Sequence, residues 1–337
     1  MRRRARAGNR EPPRSPGAGV KKGAGDPATL LLEPVPPFDF GLSASIFAGG
    51  DPGIRSFADG VFRQLMRAGG RLVLVTVTSG GTVDRPRLRV LVEPGPLPPG
   101  VPRQAGEAVT RLFNLDLDLS PFGEAVEADP VMSAIVRHLR GLKPPRTATL
   151  FEALVDSIIE QQISLSAARS IEVRFTRSFG DTLVLEGRRY YAFPTPERLA
   201  GTPPGELRAT GLSQRKAEYI AGIARMVSEG RLDLEHHGPG EETGALIRDL
   251  STLRGVGVWT AELALLRGLS RLDAIPADDL GIRRAITRYY SRGSRIDTAE
   301  ARRVAEAWGP WRGLAAYYLL VAERRGTAPV APSNIHK

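Results

Sequence analysis

Apolar residues recur at helical spacing through most of the C-terminal two thirds of the chain. Leu150, Leu154 and Ile158 share one face, behind a Thr149-x-x-Glu152 capping box. The pattern breaks at Gln161-Gln162-Ile163-Ser164, where polar residues interrupt it. Pro194-Thr195-Pro196-Glu197 then opens a proline-led helix, and Gly211 turns the chain into another that carries Ile220 and Ile223. A short apolar approach, Leu253 to Val258, leads into the run Trp259–Leu266, with Ala261, Ala264 and Leu265 spaced for one buried face. The last helices start at an Asp297-x-x-Glu300 cap and cover about 297–325. From about residue 120 onward the pattern predicts almost nothing but helix.

The N-terminal third reads differently. Residues 38–48 alternate in part and predict a strand. Asp51 is placed to cap a helix over about 52–68, with Ile54, Phe57, Val61, Phe62 and Leu65 on one side. Arg71–Thr78 and Arg87–Val92 predict two strands joined by a loop that opens with Ser79-Gly80-Gly81, and a further helix precedes Leu112. The expected fold is mostly α with a smaller α+β N-terminal domain. It divides into a disordered basic tail (1–35), the α+β domain (36–119), the helical domain (120–326) and a disordered C-terminal tail (327–337).

Composition narrows the function. A chain of 337 residues with 42% hydrophobic content can bury a sizeable core in two domains. No stretch is apolar enough to span a membrane, and the arginine-rich start lacks the apolar region of a secretory signal; a cleaved organelle transit peptide is the alternative. Without cysteine there is no disulfide, thiolate nucleophile or cysteine-ligated cluster. His138, His236, His237 and His336 show no metal-ligand spacing beyond the adjacent pair, which reads as solvated surface, and Asp116 and Asp118 have no further acids close by. A net charge of +10 points to a polyanionic partner. Half of that excess sits in residues 1–35, as a solubilising extension, a misassigned start, or a DNA tether.

The stretch Leu253–Arg284 carries the chemistry. Gly255 and Gly257 allow a tight hairpin and close approach of another molecule to the backbone. A glycine hairpin opening a helix leaves N–H groups that suit a phosphate. Asp278 and Asp279 place two carboxylates beside the start of the next helix. Leu253-Arg254-Gly255-Val256-Gly257-Val258-Trp259-Thr260-Ala261, with Asp279 coming 22 residues after Gly257 and Ile282 three further on, resembles the helix-hairpin-helix DNA glycosylases. Arg254 stands where that family commonly has proline; it adds a cation near the expected phosphate. Pro194–Leu199 and Gly211–Ala217 match further family elements, and Trp308-Gly309-Pro310-Trp311-Arg312 resembles the P-W-R element of the 3-methyladenine enzymes. The N-terminal segment looks, more loosely, like the accessory domain of the bacterial 3-methyladenine DNA glycosylase II family.

The resemblance implies a two-lobed helical architecture and an enzyme that flips a damaged base out of duplex DNA. Asp279 would stabilise the cation that develops on the sugar; Asp278 is the neighbour most easily confused with it, and either residue is also a natural helix cap. Trp259 and Trp311 would line the base pocket, since an alkylated purine carries positive charge that an aromatic face attracts. Trp308 reads as core. Gln162 and Ile163 match the loop that fills the gap in the stack, with burial of Ile163 in the core as the alternative. Arg254, Gly255, Val256, Gly257 and Thr260 would hold the DNA strand. Bifunctional relatives use a hairpin lysine as a nucleophile. Here that place is Trp259, and none of the five lysines, Lys21, Lys22, Lys143, Lys216 and Lys337, lies in the hairpin, so no lyase step is expected. Leu263 replaces an aromatic found in some relatives, which leaves the range of substrates open. The implied partner is double-stranded DNA with damaged bases. The protein would be a cytoplasmic, nucleoid-associated monomer with no cofactor, a monovalent cation at the hairpin being the one candidate. A damaged-DNA-binding protein without catalysis and a bifunctional oxidised-purine glycosylase are the competing readings.

Overall fold

The computed structural model describes residues 26–237, 240–291 and 294–326. Of the tail expected over residues 1–35, residues 1–25 lie outside the described residues, as does the tail expected over 327–337. No described helix is long and apolar enough to cross a membrane.

The N-terminal part is a five-stranded antiparallel sheet: β1 (Ala28–Leu32), β2 (Arg55–Ala58), β3 (Val61–Ala68), β4 (Arg71–Ser79) and β5 (Leu88–Glu93), in the order β1-β5-β4-β3-β2. Two of its turns are two-residue hairpins with both central residues at positive φ, Asp59-Gly60 (51° and 73°) and Gly69-Gly70 (57° and 72°). Tight hairpins favour that conformation because its twist matches the strands. A short helix α1 (Phe40–Ala44), capped by the Asp39 carboxylate, precedes β2, and α2 (Val101–Leu112) lies on one sheet face over Phe62, Val75 and Val90.

Residues 28–32 are a sheet strand, not tail: Ala28 to Leu32 pair in register with Val92 to Leu88. Residues 38–48 are not a strand, because the Asp39 cap starts α1 and a 3₁₀ turn follows. Residues 52–68 are the β2–β3 hairpin rather than a helix. The apolar residues that fitted a helical face also fit two strands once the Asp59-Gly60 turn divides them.

The rest is helical around two cores. α3 (Ser120–Ala125) and α4 (Pro130–His138) begin one lobe. The chain then builds the other, with α5 (Leu150–Glu160), α6 (Leu165–Phe179), a hairpin of β6 (Thr182–Leu185) and β7 (Arg188–Tyr191), α7 (Pro196–Ala200), α8 (Pro204–Arg208), α9 (Gln214–Ser228), α10 (Thr243–Leu250) and α11 (Val258–Leu269). It returns to the first lobe through α12 (Leu280–Tyr290), α13 (Thr298–Ala305) and α14 (Arg312–Arg324). Leu150, Leu154 and Ile158 are fully buried, as their spacing requires; each contributes about 1.5–3 kcal/mol by leaving water. The sheet joins the helical part through Leu65 and Leu74, which pack on Leu183, Tyr190 and Ala192. It also joins through a salt bridge of 2.5 Å from Arg55 to Glu152 on α5. The last residue of one helical core is Ala274 and the next buried residue, Ile275, belongs to the other. The segment that carries Asp278 and Asp279 is therefore the seam between the lobes.

Candidate functional site

The hairpin joins α10 to α11. Gly255 has φ +90°, and a Cβ there would lie 2.1 Å from the Tyr219 ring. The glycine is therefore required twice, by backbone conformation and by the ring packed on it. The Arg254 guanidinium lies over the same ring at 5.5 Å and 3.5 Å from Glu218. Gly257 is the N-cap of α11, with φ −92° and no neighbour within 4 Å of a built Cβ. No side chain caps this helix start, so its first N–H groups are free to meet an anion. Arg254, Gly255 and Gly257 thus occupy an outward surface. The side chains of Val256 and Thr260 are buried, which leaves their backbone as the part that can face a DNA strand. Val256 closes the hairpin against the core, and the Thr260 hydroxyl accepts a hydrogen bond from Gln161.

The loop after α5 projects from the surface. Gln162 has φ +56°, an uncommon conformation for a residue with a side chain, and Ile163 is 38% exposed. Ile163 therefore faces solvent rather than the core. The residue that anchors this loop is one that the sequence did not single out. Gln161 Nε2 donates to Gly255 O and to Thr260 Oγ1, both at 2.9 Å. Lys216 Nζ, on α9, donates to Ile159 O at 2.9 Å and Gln161 O at 2.6 Å. Beside the loop is a cavity of about 450 Å³ lined by Leu165, Ser166 and Arg169 from the start of α6 and by Arg324 from the end of α14. It is lined from both lobes.

Asp279 is the N-cap of α12. Its Oδ1 accepts from Gly281 N at 2.8 Å and Ile282 N at 3.1 Å, which fixes the carboxylate against its own helix. The two aspartates part company in their surroundings. Asp278 accepts from Thr298 Oγ1 at 2.5 Å and sits by the pair of buried Glu262 with half-exposed Arg302, joined by hydrogen bonds of 2.7 and 3.0 Å. Burial raises the Glu262 pKa and the Arg302 guanidinium lowers it again, with Asp278 nearby adding to the rise. Asp279 instead faces the field of Arg267, at the end of α11. Burial opposes the Arg267 charge, but Glu160 at 2.7 Å, then Asp156 and Asp279, hold its pKa above the ordinary value. Arg267 thus links the root of the projecting loop to the neighbourhood of Asp279.

The tryptophans divide. Trp259 is half-buried, and its indole N–H is buried without a partner among the described residues. Trp311 is half-buried against the core of the other lobe, its ring 6.0 Å from Phe122. Among the described residues, the rings of Trp259 and Trp311 do not stack on each other. Trp308 is core, as read: it is fully buried and its indole donates to Asp129 Oδ2 at 3.2 Å. The described lysines are both committed to backbone carbonyls. Lys143 Nζ donates to Val35 O and Leu115 O, and burial pulls its pKa down to about 8 despite Asp116 and Asp118. Lys216 holds the loop, its pKa also lowered by burial.

The HhH-GPD superfamily base excision DNA repair protein family matches residues 155–310, a span that holds the loop, the hairpin and Asp279. The DNA-3-methyladenine glycosylase of Bacillus subtilis (strain 168) is 35% identical over 207 residues, covering 61% of this chain and 68% of that protein. The solved 3-methyladenine DNA-glycosylase from Archaeoglobus fulgidus superposes with a TM-score of 0.75 at 25% identity, over 89% of this chain and 100% of that one. The 3-methyladenine DNA glycosylase of Schizosaccharomyces pombe, solved in complex with abasic-DNA, superposes with a TM-score of 0.52 at 27% identity, over 61% of this chain and 97% of that one.

Proposed function

The chain belongs to the HhH-GPD superfamily of base excision DNA repair proteins, and from that premise we propose how its residues carry out the reaction. It is a monofunctional DNA glycosylase that removes alkylated purines of the 3-methyladenine type by hydrolysing the N-glycosidic bond. The α11 N–H groups and Arg254 hold a backbone phosphate. Gln162 and Ile163 enter the base stack, and the extruded purine reaches the cleft between the lobes. The face of Trp259 attracts the cationic base. Alkylation has already weakened the bond, so the protein mainly stabilises positive charge on the sugar as the base departs. The negative Asp279 carboxylate stabilises that charge and orients the attacking water. Its Oδ1 is held by two backbone N–H groups, so the carboxylate needs little reorganisation during the reaction. The reading carries with it a monomer working on nucleoid DNA.

The observation that carries this reading is the place of Asp279: at the seam of the two helical cores, pinned by its own helix, in the register where the hairpin pattern expects an acid. Among the described residues, both lysine amines are already engaged with carbonyls, which supports a reaction without a lyase step. The test is base release from duplexes carrying 3-methyladenine, 7-methylguanine, hypoxanthine or 8-oxoguanine, with borohydride present in a parallel arm. Release of the two methylated purines without strand cleavage is expected. Failure to release any base, or a borohydride-trapped protein–DNA adduct, would overturn the assignment.

A further inference from the structure

We propose that Gln161 is a positioning residue that fastens the base-extruding loop to the strand-holding hairpin, so that the two move as one rigid unit. The proposal rests on the glycosylase reading for the meaning of the two surfaces, and on its own geometry for the coupling.

Two surfaces that touch DNA must be held at a fixed separation if gripping the strand is to drive a wedge into the stack. Gly255–Gly257 and Gln162–Ile163 come from sequence positions about 94 residues apart. The direct polar bridge between them is the Gln161 amide. Gly255 O can only accept a hydrogen bond, so the nitrogen of that amide must face it, and the amide orientation is not ambiguous. The same nitrogen reaches Thr260 Oγ1, in the first turn of α11. A single side chain thus holds both the hairpin carbonyl and the first turn of the helix that would bind phosphate.

The opposite side of the loop is equally tied. Lys216 closes the Ile159 carbonyl of α5 and that of its C-cap Gln161, where a cation is favoured by the helix terminus. Glu160 is paired with Arg267 at 2.7 Å. Residues 159–161 are therefore held on both sides, immediately before Gln162 turns to φ +56°. Left-handed conformations of residues other than glycine persist where the surroundings over-determine them, and such positions cluster at functional sites. Here the over-determining contacts are the ones just named. They also explain why Ile163 can stay exposed: its loop is kept in the extended-out position by polar anchors, not by packing of the isoleucine.

The experiment uses the full chain with Gln161→Leu, which keeps the size of the side chain and removes both hydrogen bonds. Affinity is measured by fluorescence anisotropy for an intact duplex and for the same duplex with a tetrahydrofuran abasic site. Neither measurement needs hydrolysis, so a failure of the catalytic assignment leaves this test unaffected. The expected result is an intact-duplex affinity within about twofold of wild type and a preference for the abasic duplex reduced by about tenfold. Base release should show a lower kcat at unchanged KM. Thr260→Val, which removes one of the two acceptors, should give a smaller loss, and the double variant should lose no more than Gln161→Leu alone. The proposal is overturned if Gln161→Leu keeps the wild-type preference and kcat. It is equally overturned if affinity for both duplexes and the melting temperature fall together, which would make Gln161 a support of the fold only.

Discussion

The two hairpin glycines make opposite demands, and substitution by alanine separates them. At Gly255 the backbone has φ +90°. An L-residue in left-handed backbone costs about 1–2 kcal/mol. The new Cβ would also fall 2.1, 2.3 and 2.7 Å from three carbons of the Tyr219 ring, which itself carries the Arg254 guanidinium at 5.5 Å. The ring has to move, and overpacking of this kind costs about 1–3 kcal/mol. Gly255→Ala should therefore lose roughly 2–5 kcal/mol, or roughly 5–15 °C in melting temperature for a domain of this size. At Gly257 φ is −92° and nothing lies within 4 Å of the added carbon. Alanine there is a poorer N-cap but restricts the unfolded chain, so stability should change by less than about 1 kcal/mol. What the methyl does is stand in the path of a phosphate approaching the start of α11. Gly257→Ala should thus keep its melting temperature and lose about tenfold in duplex affinity, a loss of ~1.4 kcal/mol. The assays are thermal melting and anisotropy at fixed salt. Tyr219→Ala in the Gly255→Ala background should recover the steric share of the loss but not the backbone share. A Gly255→Ala protein that melts like wild type, or a Gly257→Ala protein that binds DNA as wild type does, would refute this division of labour.

Other substitutions test the surroundings. Arg55→Met leaves Glu152, whose side chain is 3% exposed, without its partner and should cost about 3–5 kcal/mol in urea denaturation. The exposed pair of Arg67 with Asp181 provides the contrast: Asp181→Asn should stay within about 1 kcal/mol of wild type. Burial, then the neighbouring Glu172 and Glu152, push the Asp156 carboxyl well above its usual 3.8. The native state then binds more protons than the unfolded state, so stability falls as pH rises from near 3.8 through the raised pKa. Asp156→Asn removes that slope; its urea midpoint should match wild type in acid and exceed it at pH ~8. Trp259→Leu should lose about tenfold in release of charged 3-methyladenine relative to neutral hypoxanthine, as removal of a cation–π face requires.

The legible parts of this protein are those whose requirements are local. A glycine at positive φ and an aspartate capping a helix leave marks within three or four residues, so the hairpin and the seam aspartate could be read directly. The helical lobes were legible because Leu150, Leu154 and Ile158 repeat at helix spacing. The β2–β3 hairpin was misread because Phe57, Val61 and Leu65 also repeat at helix spacing. The Asp59-Gly60 pair between them was the stronger local signal. The β6–β7 hairpin hides in the same way behind Glu186-Gly187, with φ 48° and 76°. Strand β1 hides in a segment dominated by arginines and prolines, although Ala28–Leu32 within it carries no charge. Gln161 and Lys216 were beyond reach for another reason. Their partners lie at least 55 residues away, and a polar residue that anchors one loop to another looks, in sequence, like any helix end. Glu152 shows the same limit: read as half of a capping box, it reaches Ala148 N only at 3.3 Å while its other oxygen holds Arg55.

The central claim is that the negative charge on Asp279 drives bond cleavage while its Oδ1 merely caps α12, and Asp279→Asn separates the two. Asparagine caps a helix about as well as aspartate, so the fold and duplex affinity should be kept, whereas the lost charge should slow single-turnover release of 3-methyladenine by about 10²–10³-fold. The measurement is that rate constant beside the melting temperature of the same preparation. A rate within a few fold of wild type in a well-folded Asp279→Asn protein would contradict the account and reduce Asp279 to a helix cap.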